Sequence, residues 1–251
     1  MSGPIDSDKA PTVVLVHGAF ADGSSWNGVI ERLQAQGVAV TAPANPLRGV
    51  SIDSAYIASV FEETEGPVLA VGHSYGGVVI TNAAARAENV VGLVYVAAFA
   101  TDEGEALGPA DAESKDSILG DALVTLHYPT KDPGHGAVEF AVDPGKLREA
   151  MAADLPADRA ALMAATQRPL AELAFSEPTG VPAWRRLPSW TVVATEDKAA
   201  GADVIRSMAE RAGSTITEVD GSHVIMISRP DLVTGVILDA LAAVGAVPAA
   251  V

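Results

Sequence analysis

The chain has 251 residues, of which 49% are hydrophobic and 5% aromatic, and its formal net charge at pH 7 is −16. This length and apolar content predict one α/β domain with its own core and exclude a chain that is disordered throughout. The acidic balance disfavours nucleic acid and anionic lipid as partners, and the absence of cysteine excludes disulfides, thiolate nucleophiles and Cys-ligated metals.

The first eleven residues are polar and lack the basic start and long apolar run of a signal peptide. Further along the chain, no apolar run reaches the roughly 18 to 20 residues that a membrane-spanning helix needs. We therefore expect a cytoplasmic protein that does not contact a membrane.

Short runs of β-branched residues without polar alternation are typical of strands buried on both faces of a parallel sheet. Such runs occupy residues 13–16, 38–41, 68–71, 91–96 and 191–194. Segments 25–36 and 51–65 lie between them and show the apolar spacing of helices, with Ser24 or Ser25 expected to cap the first. This alternation predicts right-handed βαβ units with helices on both faces of the sheet.

The pattern changes from residue 101 to residue 188, where stretches rich in Ala, Leu, Asp and Glu are broken repeatedly by proline and no strand-like run is recognisable. A sheet pattern resumes at residue 190, followed by a helix near 202–212, a strand at 215–219 and a last helix from 230 to about 244. We predict a helical cap, residues 101–188, inserted between two parts of an α/β core, residues 1–100 and 189–251.

A Gly72-x-Ser74-x-Gly76 motif lies between a predicted strand and a predicted helix, the context of a nucleophile elbow. A tight turn there strains the serine backbone and exposes Oγ, and a Cβ at either glycine would crowd the chain. Tyr75 would begin the helix, so its backbone N–H would lie at the helix N-terminus, where the helix dipole favours negative charge. The alternative is a glycine-rich turn with an exposed serine, but the strand and helix context favours Ser74 as a nucleophile.

A serine nucleophile needs a base, and five histidines are candidates: His17, His73, His127, His135 and His223. His73 adjoins the serine, but consecutive side chains at a sharp turn point apart, so we expect it to have a supporting role at most. His127 and His135 lie in the insertion and are expected to face solvent or to cap a helix. His223 follows the last predicted strand in a glycine-containing loop and is the predicted base; the alternative is a buried histidine beside an apolar run.

An acid that orients this base is expected at a strand end between the serine and the histidine, and Glu196 and Asp197 both follow the strand at 191–194. We favour Asp197, because a shorter and stiffer carboxylate in the turn orients an imidazole better. The alternative for either residue is an acidic turn side chain that faces water.

The loop after the first strand is the predicted source of a second oxyanion donor, beside the N–H of Tyr75. Gly18 would let the backbone approach the serine closely. We favour the N–H of Ala19 as the donor, with Phe20 as the alternative, and we expect Gly18 and Phe20 to line the substrate site. The other interpretation is an ordinary glycine loop.

Four segments resemble the α/β-hydrolase superfamily, and most closely its branch of small bacterial and plant esterases and hydroxynitrile lyases. They are VLVHGAFADGSSW (14–26), VGHSYGG (71–77), ATEDK (194–198) and DGSHVIMISRP (220–230). The resemblance implies an α/β-hydrolase fold, a helical cap over Ser74, an oxyanion hole formed by Ala19 and Tyr75, and chemistry without a cofactor. Dinucleotide, Walker A and His-Glu-x-x-His motifs are missing from the sequence, so neither nucleotide nor metal is expected.

These residues together predict a serine hydrolase for a small uncharged ester or lactone, with Ser74, His223 and Asp197 as the triad. The alternatives are a hydroxynitrile-type carbon–carbon lyase and a non-catalytic ligand receptor on the same fold. The resemblance implies that a lyase carries a cation directly after the catalytic histidine and a hydroxyl residue after the first histidine of the oxyanion loop. Val224 and Gly18 stand at those positions, which favours the hydrolase.

Overall fold

The structure, a computed structural model, describes residues 9–130 and 136–245. The strands within these residues are β1 Thr12–Val16, β2 Val40–Thr41, β3 Val68–His73, β4 Val90–Val96, β5 Leu123–Pro129, β6 Gly136–Val142, β7 Leu170–Ala171, β8 Ser189–Ala194 and β9 Thr215–Val219. Six of them form the core sheet, in the order β2-β1-β3-β4-β8-β9, and every neighbouring pair is parallel. The predicted α/β fold with a parallel sheet is therefore confirmed.

The helices are α1 Asn27–Ala35, α2 Val50–Glu63, α3 Tyr75–Ala83, α4 Leu107–Ala112, α5 Leu119–Ala122, α6 Leu147–Met151, α7 Ala157–Thr166, α8 Leu173–Ser176, α9 Ala202–Arg211, α10 Ile225–Ser228 and α11 Pro230–Ala243. In the core, α2 packs on α3 and α1 packs on α11 beside the sheet. No helix in the described ranges is long and apolar enough to cross a bilayer.

The start of α1 differs from the expectation for segment 25–36. A 3-10 turn, Gly23–Trp26, precedes the helix, and the Asp22 carboxylate caps this turn by accepting the Ser24 N–H at 2.8 Å. The predicted cap by a serine side chain is therefore wrong. Asp22 caps more effectively because an ionised oxygen accepts a stronger hydrogen bond than a hydroxyl does.

In its described residues the insertion holds the five short helices α4 to α8. The prediction that the insertion contains no strand is wrong. β5, β6 and β7 form an antiparallel sheet. The sequence pattern of β5 indicates a strand only weakly, because most of its residues are exposed and no apolar face alternates with a polar one. Moreover, β7 has two residues and pairs with β6 through Phe140 and Leu170, a contact between distant parts of the chain.

Arg48 and Arg168 are among the arginines that join the insertion to the core. Arg48, just before α2, forms an ion pair with Glu139 of β6 at 2.6 Å, and its guanidinium lies 4.6 Å from the ring centroid of Tyr128 on β5. Arg168, just before β7, donates to the Asn45 carbonyl at 3.0 Å. Both contacts hold the insertion against the segment between β2 and α2, which follows the carboxyl end of a core strand.

Candidate active site

Ser74 occupies a strained turn between β3 and α3. Its backbone has φ 52° and ψ −124°, a region that non-glycine residues rarely adopt. A Cβ on Gly72 would lie 2.6 Å from the Gly76 carbonyl oxygen, and a Cβ on Gly76 would collide with the Val16 carbonyl. Neighbouring backbone therefore leaves no space for a side chain at either glycine, as is expected for a nucleophile elbow.

The loops after β8 and β9 bring His223 and Asp197 together. The His223 Nδ1 donates to Asp197 Oδ2 at 2.8 Å, and both side chains are almost fully buried. Asp197 Oδ1 accepts the N–H groups of Ala199 at 2.8 Å and Ala200 at 3.0 Å, which fixes the orientation of the carboxylate. With its proton on Nδ1, the imidazole presents Nε2 as an acceptor. Glu196, the other candidate, is exposed.

Ser74 and His223 line one pocket, which holds about 360 Å³ of empty space, part of it open to solvent. The core contributes Ala19, Phe20, Tyr75, Phe99 and Ala200 to its wall, and the insertion contributes Leu107, Asp111, Leu119, Met151, Leu170 and Phe175. The wall is therefore largely apolar. Its polar side chains include the Ser74 hydroxyl and the His223 imidazole of the core and the Asp111 carboxyl of the insertion.

The oxyanion candidates differ in their hydrogen bonds. The N–H of Phe20 donates to the Arg168 carbonyl at 3.1 Å, so it is already engaged. Within the described part of the chain, the N–H groups of Ala19 and Tyr75 have no acceptor. A Cβ on Gly18 would lie 2.7 Å from the Ser74 Cβ, so the absence of a side chain there allows the loop to approach the serine. Of the predicted oxyanion donors, the N–H groups of Ala19 and Tyr75 are therefore available, whereas that of Phe20 is not.

His73 supports the loop that carries His223. Its Nε2 donates to the His223 carbonyl at 3.0 Å, and the two rings lie 4.6 Å apart between centroids. Complete burial, with the neighbouring His223, lowers the pKa of His73 well below its usual value, so the ring stays neutral. Of the other histidines, His127 is exposed on β5, and His135 lies outside the described residues.

Asp53 in the first turn of α2 was not recognised from the sequence. The Tyr75 hydroxyl donates to this buried carboxyl at 2.8 Å, and the N–H of Arg48 donates to it at 3.0 Å. Burial raises the pKa of Asp53 although these donors act in the opposite direction. This hydrogen bond fixes Tyr75, the residue after Ser74, to a helix that is distant in sequence. A local sequence motif does not reveal such a contact.

His17 anchors the loop after β1. Its Nε2 accepts the Asn45 N–H at 3.0 Å, and its Nδ1 contacts the Gly18 carbonyl at 2.9 Å. Burial lowers the pKa of His17 to about 4, and the nearby guanidinium of Arg168 acts in the same direction. The ring is neutral at pH 7 and acts as a fixed hydrogen-bonding bridge. No group of three or more potential metal ligands is found among residues 9–130 and 136–245.

Comparison with known proteins gives a consistent set of similarities. Residues 13–236 match the model of the alpha/beta hydrolase family. A curated relative, alpha/beta hydrolase nvfD of Aspergillus novofumigatus (strain IBT 16806), is 24% identical over 257 residues, which cover 92% of this chain and 96% of that protein.

Solved structures with similar folds include polyneuridine aldehyde esterase, with a TM-score of 0.77, 20% identity and coverage of 92% of this chain and 99% of that chain. Methylesterase MES16 from Arabidopsis has a TM-score of 0.75 and 18% identity, with the same coverage. A pyrethroid hydrolase from Sphingobium faniae JZ-2 has a TM-score of 0.71 and 20% identity, with coverage of 94% and 98%. At these identities the likeness shows the fold.

Proposed function

The chain belongs to the alpha/beta hydrolase family, and from this premise we propose that it is a serine hydrolase that cleaves a small uncharged carboxylic ester or lactone through an acyl-serine intermediate. One observation carries the proposal: a serine held in a strained elbow shares a pocket with a histidine whose Nδ1 is bound to a buried aspartate. This set of groups supplies a nucleophile, a base and an orienting acid.

In the proposed first step, Ser74 Oγ attacks the ester carbonyl carbon while His223 Nε2 takes the hydroxyl proton. The C=O bond becomes a single bond, and its oxygen takes the negative charge, which the N–H groups of Ala19 and Tyr75 stabilise. Asp197 stabilises the imidazolium that forms. When the tetrahedral intermediate collapses, His223 returns the proton to the leaving alkoxide, and an acyl-Ser74 ester remains.

Water completes the cycle by the same steps. His223 Nε2 takes a proton from the water as its oxygen attacks the acyl carbon, and Ser74 leaves with that proton while the carboxylic acid is released. The apolar wall of the pocket supports an uncharged substrate, because a charged group there would lose its hydration. A lactone would follow the same steps with its alcohol tethered to the acyl group.

A lyase that releases cyanide would need a partner for the departing anion. Val224 is apolar and buried, and Gly18 has no room for a hydroxyl side chain beside Ser74. Neither position offers charge or a side-chain hydrogen bond, and an unpaired anion in a largely apolar pocket is costly. These contacts favour ester hydrolysis over the lyase.

The test is a panel of p-nitrophenyl esters, methyl esters and lactones, assayed with the parent protein, Ser74→Ala and the control Ser59→Ala. Ser59 is an exposed serine of α2, so its substitution should leave the rates unchanged. We expect Ser74→Ala to lose turnover by about 10³-fold or more while it remains folded. An organophosphonate should label Ser74 in the parent, as seen by mass spectrometry. Cyanide release from mandelonitrile, without any adduct on Ser74, would instead support the lyase; absence of both labelling and turnover would support a receptor.

A further inference from the structure

A carboxyl group from the insertion faces the pocket without a strong hydrogen-bond donor. Asp111, near the end of α4, lines the same pocket as Ser74 and His223. The only hydrogen bond to this carboxyl within the described chain comes from the Ser117 hydroxyl at 3.4 Å. The same hydroxyl lies 2.7 Å from the Ala199 carbonyl, so its single proton is directed there. The Asp111 carboxylate is therefore left with unused acceptor positions at the pocket wall.

Among the residues that the structure describes, the apolar part of the pocket wall offers Asp111 no further donor. The insertion places Leu107, Leu119, Met151 and Leu170 around the same pocket, and none of these side chains donates a hydrogen bond. The Tyr75 hydroxyl is bound to Asp53. Asp111 is half-buried, so a substrate that fills the pocket would displace the water that reaches its carboxylate. A substrate that brings a donor would replace that water, whereas an apolar substrate would leave the carboxylate unpaired at a cost in binding free energy.

We propose that Asp111 determines substrate specificity by accepting a hydrogen bond from a hydroxyl group of the ester, so that the preferred substrate is a hydroxylated ester or lactone. This inference rests on the proposed function, since it names the substrate class of that site. A hydroxyl fits better than a second apolar group because it supplies the donor that the wall lacks, while the substrate remains uncharged.

The protonation state of Asp111 agrees with this role. Burial raises the pKa of its carboxyl to about 6, and the carboxylate of Asp197 acts in the same direction, whereas Ser117 and His223 oppose the rise. The titratable groups around the pocket are His223, Asp197 and Tyr75, all of them on the core. Asp111 is thus mainly a carboxylate at pH 7.5 and becomes protonated as the pH falls through about 6.

The experiment compares pairs of methyl esters of equal chain length, one with a hydroxyl on the acyl chain and one without, and moves the hydroxyl along the chain. Asp111→Leu removes the acceptor at similar size, and Asp116→Asn is the control, because Asp116 is an exposed acid of the same segment. We expect the parent and the control to prefer one hydroxy ester, and Asp111→Leu to lose that preference by about tenfold or more, the effect of one hydrogen bond to a charged group.

Two further measurements separate specificity from a merely structural role. The ratio of kcat/KM for the hydroxy ester to that for its partner should decrease as the pH falls through about 6, because Asp111 becomes protonated. His223 serves both esters, so its titration cancels in the ratio. In Asp111→Leu the ratio should not depend on pH. An equal loss for both esters, or an unchanged ratio, would overturn the proposal.

An amino ester of the same length serves as a third arm. If it is preferred over the hydroxy ester and this preference disappears in Asp111→Asn, the site selects a cation, which overturns the assignment of a hydroxyl. Calorimetric binding of the same compounds to Ser74→Ala, with and without Asp111→Leu, makes the two proposals distinguishable. Selective binding without turnover in any parent assay would refute the hydrolase alone, whereas turnover without selectivity would refute the role of Asp111 alone.

Discussion

Replacing Asp197 with asparagine provides a demanding test of the candidate triad, because the structure determines which way the new amide faces. Asp197 Oδ1 accepts two buried N–H groups, from Ala199 and Ala200. The asparagine oxygen must stay with these donors, so its NH₂ group faces His223. An NH₂ group can only donate to Nδ1, and the imidazole then carries its own proton on Nε2, where the base should be free.

The magnitude follows from the cost of the opposite orientation. Turning the amide around would leave two buried donors without an acceptor, at about 1–3 kcal/mol each. The active arrangement would therefore lie about 2–6 kcal/mol above the inactive one, which corresponds to a loss of roughly 30-fold to 10⁴-fold in kcat. Exposed Glu196 has no such role, and Glu196→Gln should change kcat by less than about twofold.

The assay measures kcat and KM for the best ester of the panel with the parent, Asp197→Asn and Glu196→Gln, and urea unfolding shows whether each variant is folded. We expect a decrease in kcat with little change in KM for Asp197→Asn, because the substrate pocket is unchanged. A folded Asp197→Asn protein that keeps its kcat within about threefold would refute the argument. A larger loss in Glu196→Gln would exchange the roles of the two acids.

Two further predictions concern the oxyanion loop and its anchor. Gly18→Ala should lower kcat/KM by at least about tenfold, because the new Cβ would lie 2.7 Å from the Ser74 Cβ. The control is Gly235→Ala in α11, where a Cβ meets nothing within 4 Å; it should keep its activity and stabilise the protein by about 0.5–1 kcal/mol. Equal activities of the two variants would contradict the role of Gly18. Because the pKa of His17 is lowered from 6.5 to about 4 in the folded state, the unfolded state binds more protons between these values, and the free energy of unfolding should fall by up to about 3 kcal/mol as the pH falls through this window. His73 acts in the same direction. Urea unfolding at pH 7 and pH 4.5 should show a smaller decrease in His17→Gln than in the parent, and an identical decrease would refute the role of His17.

Prediction from the sequence is most direct where a short segment determines its own geometry. The turn at Ser74 closes within its own segment, where a Cβ on Gly72 would meet the Gly76 carbonyl, although Gly76 is also required by the Val16 carbonyl of β1. The run of Val68–His73 indicates a buried strand through its apolar content alone. The geometry also agrees with the choice of Asp197 over Glu196, which depended on the end of one strand.

Features that depend on distant residues escaped the sequence analysis. β5 shows no apolar face, because most of it is exposed, and its strand conformation depends on pairing with β6. The bond from Tyr75 to Asp53 joins two helices, and neither residue belongs to a recognisable motif with the other. Asp111 resembles any acidic residue at a helix surface until the fold brings it to the pocket. The role proposed for Asp111 therefore depends on a position that only the three-dimensional structure reveals.

The insertion does more than cover the pocket, because it holds both core loops that flank the reacting groups. On one side, the Arg168 carbonyl accepts the Phe20 N–H and so fixes the loop that carries Ala19, the proposed oxyanion donor. On the other side, the Met151 carbonyl accepts the N–H of Val224, and the Asp154 carboxylate accepts the N–H of Ser222, so the residues before and after His223 are both fixed. These bonds come from separate parts of the insertion and converge on the same pocket. A substitution in the insertion that is meant to change the proposed specificity should therefore leave these backbone contacts intact and be made in a side chain of the pocket wall such as Asp111.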